Sequence, residues 1–141
     1  MSALIVDEAR RWIGTPYRHQ AAVRGAGCDC LGLLRGVWCE VYGAEPEVPP
    51  AYTPDWDEVT QADVLMAAAR RHLEPQEMSE IASGDVLLFR MRQGAVAKHL
   101  GIASGAASFI HAYSGHGVIE NALSDPWRRR IVGVYSFPTL D

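Results

Sequence analysis

From Ser83 onward the chain changes texture, and that change limits its fold more than any other feature. Five short stretches rich in strand formers follow in succession: DVLLFR (85–90), HLGIAS (99–104), SFIHAY (108–113), GVIENA (117–122) and IVGVYSF (131–137). Gly, Ser or Pro separates most of them. Before Ser83 the apolar spacing is helical. Helices first and strands afterwards, joined by short connections, predict an α+β fold with an antiparallel sheet.

The first predicted helix covers 3–13. Ser2 is its cap, Leu4, Ile5, Trp12 and Ile13 supply apolar positions, and Gly14 stops it. The segment GTPYRHQAAVRGAG (14–27) has no period and reads as a loop. A second helix starts at about Cys30. Leu33, Leu34, Val37, Trp38 and Val41 follow helical spacing, and Tyr42-Gly43 closes it. Gly32 and Gly36 share one face of this helix. Glycine costs helix stability, so another backbone is expected to pack closely there. Residues 44–56 carry four prolines and read as a surface loop, and a third helix is expected over about 58–72.

The 141 residues suit a single domain, 1–141, and the chain shows no internal repeat. Its formal net charge of -4 disfavours nucleic acid as a partner, because phosphate binding needs clustered Lys and Arg. The one basic cluster, Arg128-Arg129-Arg130, reads as a solvated turn. No run approaches the roughly 20 apolar residues of a membrane-spanning helix. The start MSALIVDEARRW has no basic leader, and its apolar stretch stops at Asp7-Glu8. The expectation is a chain made in the cytoplasm without a signal peptide.

Three cysteines occur, Cys28, Cys30 and Cys39, and the first two lie in GCDCLGLL (27–34). A structural zinc site needs four ligands, often in C-x2-C knuckles. Here the spacing is C-x-C, and Cys39 lies two and a half helical turns beyond Cys30, pointing away from it. No metal or other cofactor is expected. A Cys28–Cys30 disulfide would close a strained small ring. Cys28 and Cys39 read as small buried hydrophobes. Cys30 differs because it sits where a Gly-rich loop meets an apolar helix. Helix-start N–H groups lack internal partners, and the dipole there is positive. Both favour a thiolate, and the same N–H groups can bind an oxyanion.

A nucleophilic cysteine also needs a base. His72 ends the third helix in a polar run and reads as solvated, and His116 lies in the turn SGHG. His19 sits in the first loop, lining a cleft or facing water. His99 and His111 open and close a predicted hairpin. A three-residue loop would put them on one face, opposite or diagonal, whereas a two-residue loop would put them on opposite faces. On one face, the second imidazole can orient the first, as in a catalytic triad.

With these residues placed, the chain resembles the NlpC-type family of cysteine peptidases, which cut the peptide stems of bacterial peptidoglycan. GTPY (14–17) is similar to the family's G-x-P-Y segment, and DCLGL (29–33) to its D-C-x-G-L nucleophile motif. SGDVLLF (83–89) resembles the P-G-D-L-x-F strand, HLGI (99–102) the H-x-G-I strand, and FIHA (109–112) the strand of the third triad member. The five motifs occur in the family's order.

The resemblance implies a papain-like core, with the nucleophile helix packed on a five- to six-stranded antiparallel sheet. It implies Cys30 as nucleophile, His99 as base and His111 as the orienting residue. Tyr17 would contact substrate or the oxyanion, and Asp29 would bind the substrate's peptide end. The implied reaction is hydrolysis of a peptidoglycan stem amide, at the bond from D-glutamate to a diamino acid. Many members carry Ser after the nucleophile; Leu31 stands there in this chain. The C-terminal PWRRRIVGVYSFP resembles the subgroup encoded with phage or gene-transfer-agent tail genes. The implied partners are tail-tip or baseplate proteins, and the implied place is a tail component acting on a target cell's wall. Two alternatives stay open: a structural tail-tip protein on a retained peptidase fold, and acyl transfer or thioester hydrolysis by the same thiol.

Overall fold

In the computed structural model, residues 1–45, 64–91 and 98–139 are described. The expected loop beyond Glu45 and the first part of the expected third helix, 58–63, lie outside them.

Helix α1 spans Ser2–Arg11. Ser2 is its first residue rather than its cap, and Met1 takes the cap position without a side-chain bond. Ile5, Ala9 and Trp12 turn to the core at helical spacing. Leu4 and Ile13, expected with them, fall off that face and are exposed.

The segment read as a plain loop contains a small antiparallel ribbon of β1 (Ala22–Val23) and β2 (Gly27–Cys28). Strands of two residues are too short for any alternation to show in a sequence. Tyr17 bridges to Cys28 alongside the ribbon. Helix α2 spans Cys30–Tyr42, between an Asp29 cap and Gly43 in the left-handed conformation at φ 91°. Helix α3 is described over Val64–His72. His72, expected to be solvated, is half-buried and meets Trp38 in a T-shaped contact with ring centroids 6.4 Å apart.

Glycines decide how α2 sits. A Cβ on Gly32 would stand 1.9 Å from the backbone oxygen of Ala21, so the loop crosses the helix in direct backbone contact, as expected. At Gly36 the close neighbour is the Trp12 indole, 2.0 Å from such a Cβ, so there a side chain of α1 fills the space, not a backbone.

Among the described residues the main sheet has six strands, all pairs antiparallel. They are β3 (Glu74–Gln76), β4 (Val86–Phe89), β5 (His99–Gly105), β6 (Ser108–Tyr113), β7 (Gly117–Ala122) and β8 (Ile131–Ser136). The spatial order is β3-β8-β4-β5-β6-β7. The five expected strands are present. β3 is additional: its EPQ carries a proline, which an edge strand tolerates because one side has no ladder to satisfy. Asp125–Arg128 forms a short helix, α4, between β7 and β8, with Pro126 in its first turn.

Both faces of the sheet are covered, which is why VLLF is buried at every position instead of alternating. On one face Val86, Leu88, Leu100, Ile102 and Ile110 pack with Ile5, Leu33 and Val37 of the helices. On the other, Leu87, Phe89, Phe109 and Leu123 pack with Ile81, Trp127 and Ile131.

Candidate active site

Cys30 is the first residue of α2 and only 7% exposed. The preceding Asp29 fixes the approach of the chain. Its Oδ1 accepts from the Gly32 N–H at 2.8 Å, and its Oδ2 from the Gln20 N–H at 2.7 Å. One carboxylate thus caps the helix and ties the Tyr17 loop to it. His19 Nδ1 lies 3.9 Å from Asp29 Oδ2. The cap is legible in GCDCLGLL, because aspartate is a preferred N-cap.

The ladder between β5 and β6 runs from Gly105–Ser108 to Ile102–Ile110. Past that point the N–H of Leu100 turns to the Cys30 thiol, which also receives the N–H of Leu31. Both donors favour the thiolate. Burial outweighs them, and with the Asp29 charge it pushes the thiol up to about 12. Tyr17, half-buried beside this group, is likewise raised to about 12, first by burial and then by the Cys30 charge. Cys28 is fully buried and raised to about 12 by burial, as suits a packed thiol.

His99 Nε2 and His111 Nδ1 are 2.8 Å apart. The hairpin has only two turn residues, Ala106 and Ala107, and a plain connection of that length would put these rings on opposite faces. A bulge between Ala103 and Gly105 restores the shared face. Ser104 is the extra residue. Its hydroxyl lies 2.6 Å from that of Ser108, and its carbonyl accepts from Ser83 at 3.3 Å. The same-face expectation therefore holds by a different route: a two-residue turn plus one bulged residue.

The relay continues beyond the predicted residues. His111 Nε2 lies 2.6 Å from Asn121 Oδ1 on β7. Trp127 of α4 lies against both imidazoles, with ring centroids 5.9 Å from His99 and 5.2 Å from His111. Phe89, Phe109 and Tyr113 complete an aromatic bed. Burial, then the His111 charge, lowers His99 to about 3. Burial also lowers His111, against the Asn121 hydrogen bond. Burial thus favours the neutral form of the thiol and of both imidazoles. His116 is exposed and stacks on Tyr113 at 5.3 Å. Among the described residues no group of three His, Cys, Asp or Glu is placed to hold a metal, and no helix is long and apolar enough to cross a membrane.

Asn121 and Trp127 escaped the sequence reading. Asn121 could be found only through the β6–β7 register, which pairs it with Phe109 and so puts it diagonal to His111. Trp127 could be found only through the return of α4 over the sheet.

A helix-start thiol packed on an antiparallel sheet, with paired imidazoles on adjacent strands, is the layout of a papain-like α+β protein. The NlpC/P60 family matches residues 14–136, and the chain belongs to that family. It is 29% identical over 133 residues to an Escherichia coli protein described as murein DD-endopeptidase MepS/murein LD-carboxypeptidase, covering 89% of this chain and 57% of that one. It is 29% identical over 137 residues to a Bacillus subtilis gamma-DL-glutamyl hydrolase, covering 96% of this chain and 29% of that protein. This chain therefore spans little more than half the length of the first relative and less than a third of the second. Among solved structures, the NlpC/p60 domain of the peptidoglycan hydrolase SagA superposes with a TM-score of 0.68 at 25% identity, covering 97% of this chain and 99% of that one.

Proposed function

We propose that this chain is a cysteine peptidase that hydrolyses an amide of peptidoglycan stem peptides, at the bond from D-glutamate to a diamino acid. The observation that carries the reading is the Cys30 thiol at the start of α2, against the N–H groups of Leu31 and Leu100, one residue along β5 from a hydrogen-bonded imidazole pair. Relatives described as murein endopeptidase and gamma-DL-glutamyl hydrolase support the substrate class.

In this reading the resting thiol gives its proton to His99 as sulfur attacks the carbonyl carbon. The Gly32 N–H is occupied by the Asp29 carboxylate and the Leu33 N–H by the Asp29 carbonyl. With the Leu31 N–H directed at sulfur, the Cys30 N–H is the helix-start donor that would hold the oxyanion, with the Tyr17 phenol at the rim. His99 returns the proton to the leaving amine. Water, deprotonated by His99, hydrolyses the thioester and frees Cys30. His111 keeps His99 in orientation throughout. Asp29 acts on substrate chiefly by holding the Tyr17 loop, since both its oxygens already accept backbone N–H groups.

The resemblance of PWRRRIVGVYSFP, which runs from Pro126 in α4 through β8, to the tail-gene subgroup supports a place in a phage-like tail, acting on the wall of a target cell beside tail-tip or baseplate proteins. The experiment is digestion of purified sacculi followed by mass spectrometry of the muropeptides. The protein should release stem peptides cut after D-glutamate, and Cys30→Ala should lose at least about 10³-fold in rate. Equal release by Cys30→Ala would overturn the assignment.

A further inference from the structure

We propose that Asn121 is a positioning residue that sets the proton direction of the whole relay, leaving Nδ1 of His99 as the basic nitrogen. The proposal rests on the peptidase reading above only for its effect on rate. Its structural content stands on the hydrogen bonds alone.

A neutral imidazole has one N–H and one lone pair. Asn121 Oδ1 can only accept, so His111 Nε2, at 2.6 Å, must donate to it. His111 Nδ1 then carries the lone pair. His99 Nε2, 2.8 Å away, must donate into it, and the free lone pair of His99 falls on Nδ1. Without an acceptor at 121, the two imidazoles could run in either direction. In the reversed one, His99 Nδ1 carries hydrogen and cannot take a proton from Cys30. The set direction also suits the charged state. When His99 gains a second proton, its Nε2–H still points into a lone pair, and no hydrogen bond has to break.

The position makes a merely structural amide a poor explanation. Asparagine is depleted in strands. Here it pairs with Phe109, on the face formed by Phe89, Phe109 and Leu123, where an apolar residue would pack.

The test is nitrogen-15 NMR of the histidines at pH 7.5, on the substrate-free protein, combined with rates on purified sacculi. His99 and His111 should both be Nε2–H tautomers. Asn121→Leu should give a mixture and lower the rate at saturating sacculi by at least about tenfold, with the half-saturating concentration little changed. Asn121→Asp, an acceptor of nearly the same shape, should keep both tautomers and restore most of the rate. A wild-type Nδ1–H tautomer at His111 would overturn the proposal even if Asn121→Leu failed to fold. So would an Asn121→Leu protein with unchanged tautomers and rate. Because the spectra need no turnover, an Nε2–H pair in a protein without wall activity would refute the peptidase reading and leave the relay standing. An active wild type with a neutral Asn121→Leu would do the reverse.

Discussion

On the helix-covered face of the sheet the two central strands and β6 bury aliphatic side chains, Val86, Leu88, Leu100, Ile102 and Ile110, with Tyr135 beside them on β8. On the opposite face, Phe89, Phe109 and Trp127 surround His99 and His111. The thiol belongs to the first layer, the imidazoles to the second. The link between them is the chain step from His99 to Leu100, where the β5–β6 ladder has stopped at Ile102–Ile110 and the Leu100 N–H is released to sulfur. The difference teaches how the labour is divided. The aliphatic layer positions a helix to within the thickness of a glycine. The aromatic layer buries two imidazoles and keeps them neutral.

The comparison breaks most readily on the helical side. Gly32→Ala puts a Cβ where the Ala21 carbonyl oxygen stands. Neither backbone can yield cheaply, so a loss of about 1–3 kcal/mol or more is expected, together with displacement of Cys30. Thermal denaturation measures the first and the rate of thiol alkylation the second. A Gly32→Ala protein with wild-type melting and alkylation would show that the crossing does not position Cys30.

The aromatic side is sharpened by acid. His99 and His111 are held below the ordinary histidine range by burial. Below about pH 6.5, and for His99 down to about pH 3, the unfolded chain therefore binds more protons than the folded one. Their contribution is intact above about pH 6.5 and falls away as the pH drops through that window. Urea midpoints should decline from pH 7 to pH 4, and His99→Gln should flatten the decline. Equal slopes in both proteins would place the acid sensitivity elsewhere.

The smallest effect is expected at the junction. Leu31 is half-buried and packs on the aliphatic cluster, yet its N–H serves the thiol. Leu31→Ser keeps the N–H and removes only apolar contact, costing about 1 kcal/mol of stability. The pattern of muropeptides released should shift, with the rate changing by less than about tenfold. An unchanged pattern would remove Leu31 from specificity.

Much of this was legible beforehand because it is local. Gly-Cys-Asp-Cys before an apolar helical run marked a helix start, and the helix does begin at Cys30. Stretches rich in strand formers, punctuated by Gly, Ser or Pro, marked five strands. The glycines of α2 announced a close approach, though not that an indole would meet one of them. The two-residue strands β1 and β2 and the proline-bearing β3 were illegible, because pairing partners elsewhere along the chain define them.

By itself, the sequence determined the order of helices and strands, the thiol at a helix start and the two histidines on neighbouring strands. Only the tertiary structure decided that those histidines share a face. One bulged residue, Ser104, reverses the parity that a two-residue turn would impose, and its seat depends on Ser83 and Ser108 across the sheet. Tertiary structure alone also brought in Asn121 and Trp127, because register and the return of α4 are set by packing between distant segments. Periodicity reports which way a side chain leaves its own strand. It does not report what waits on the next one.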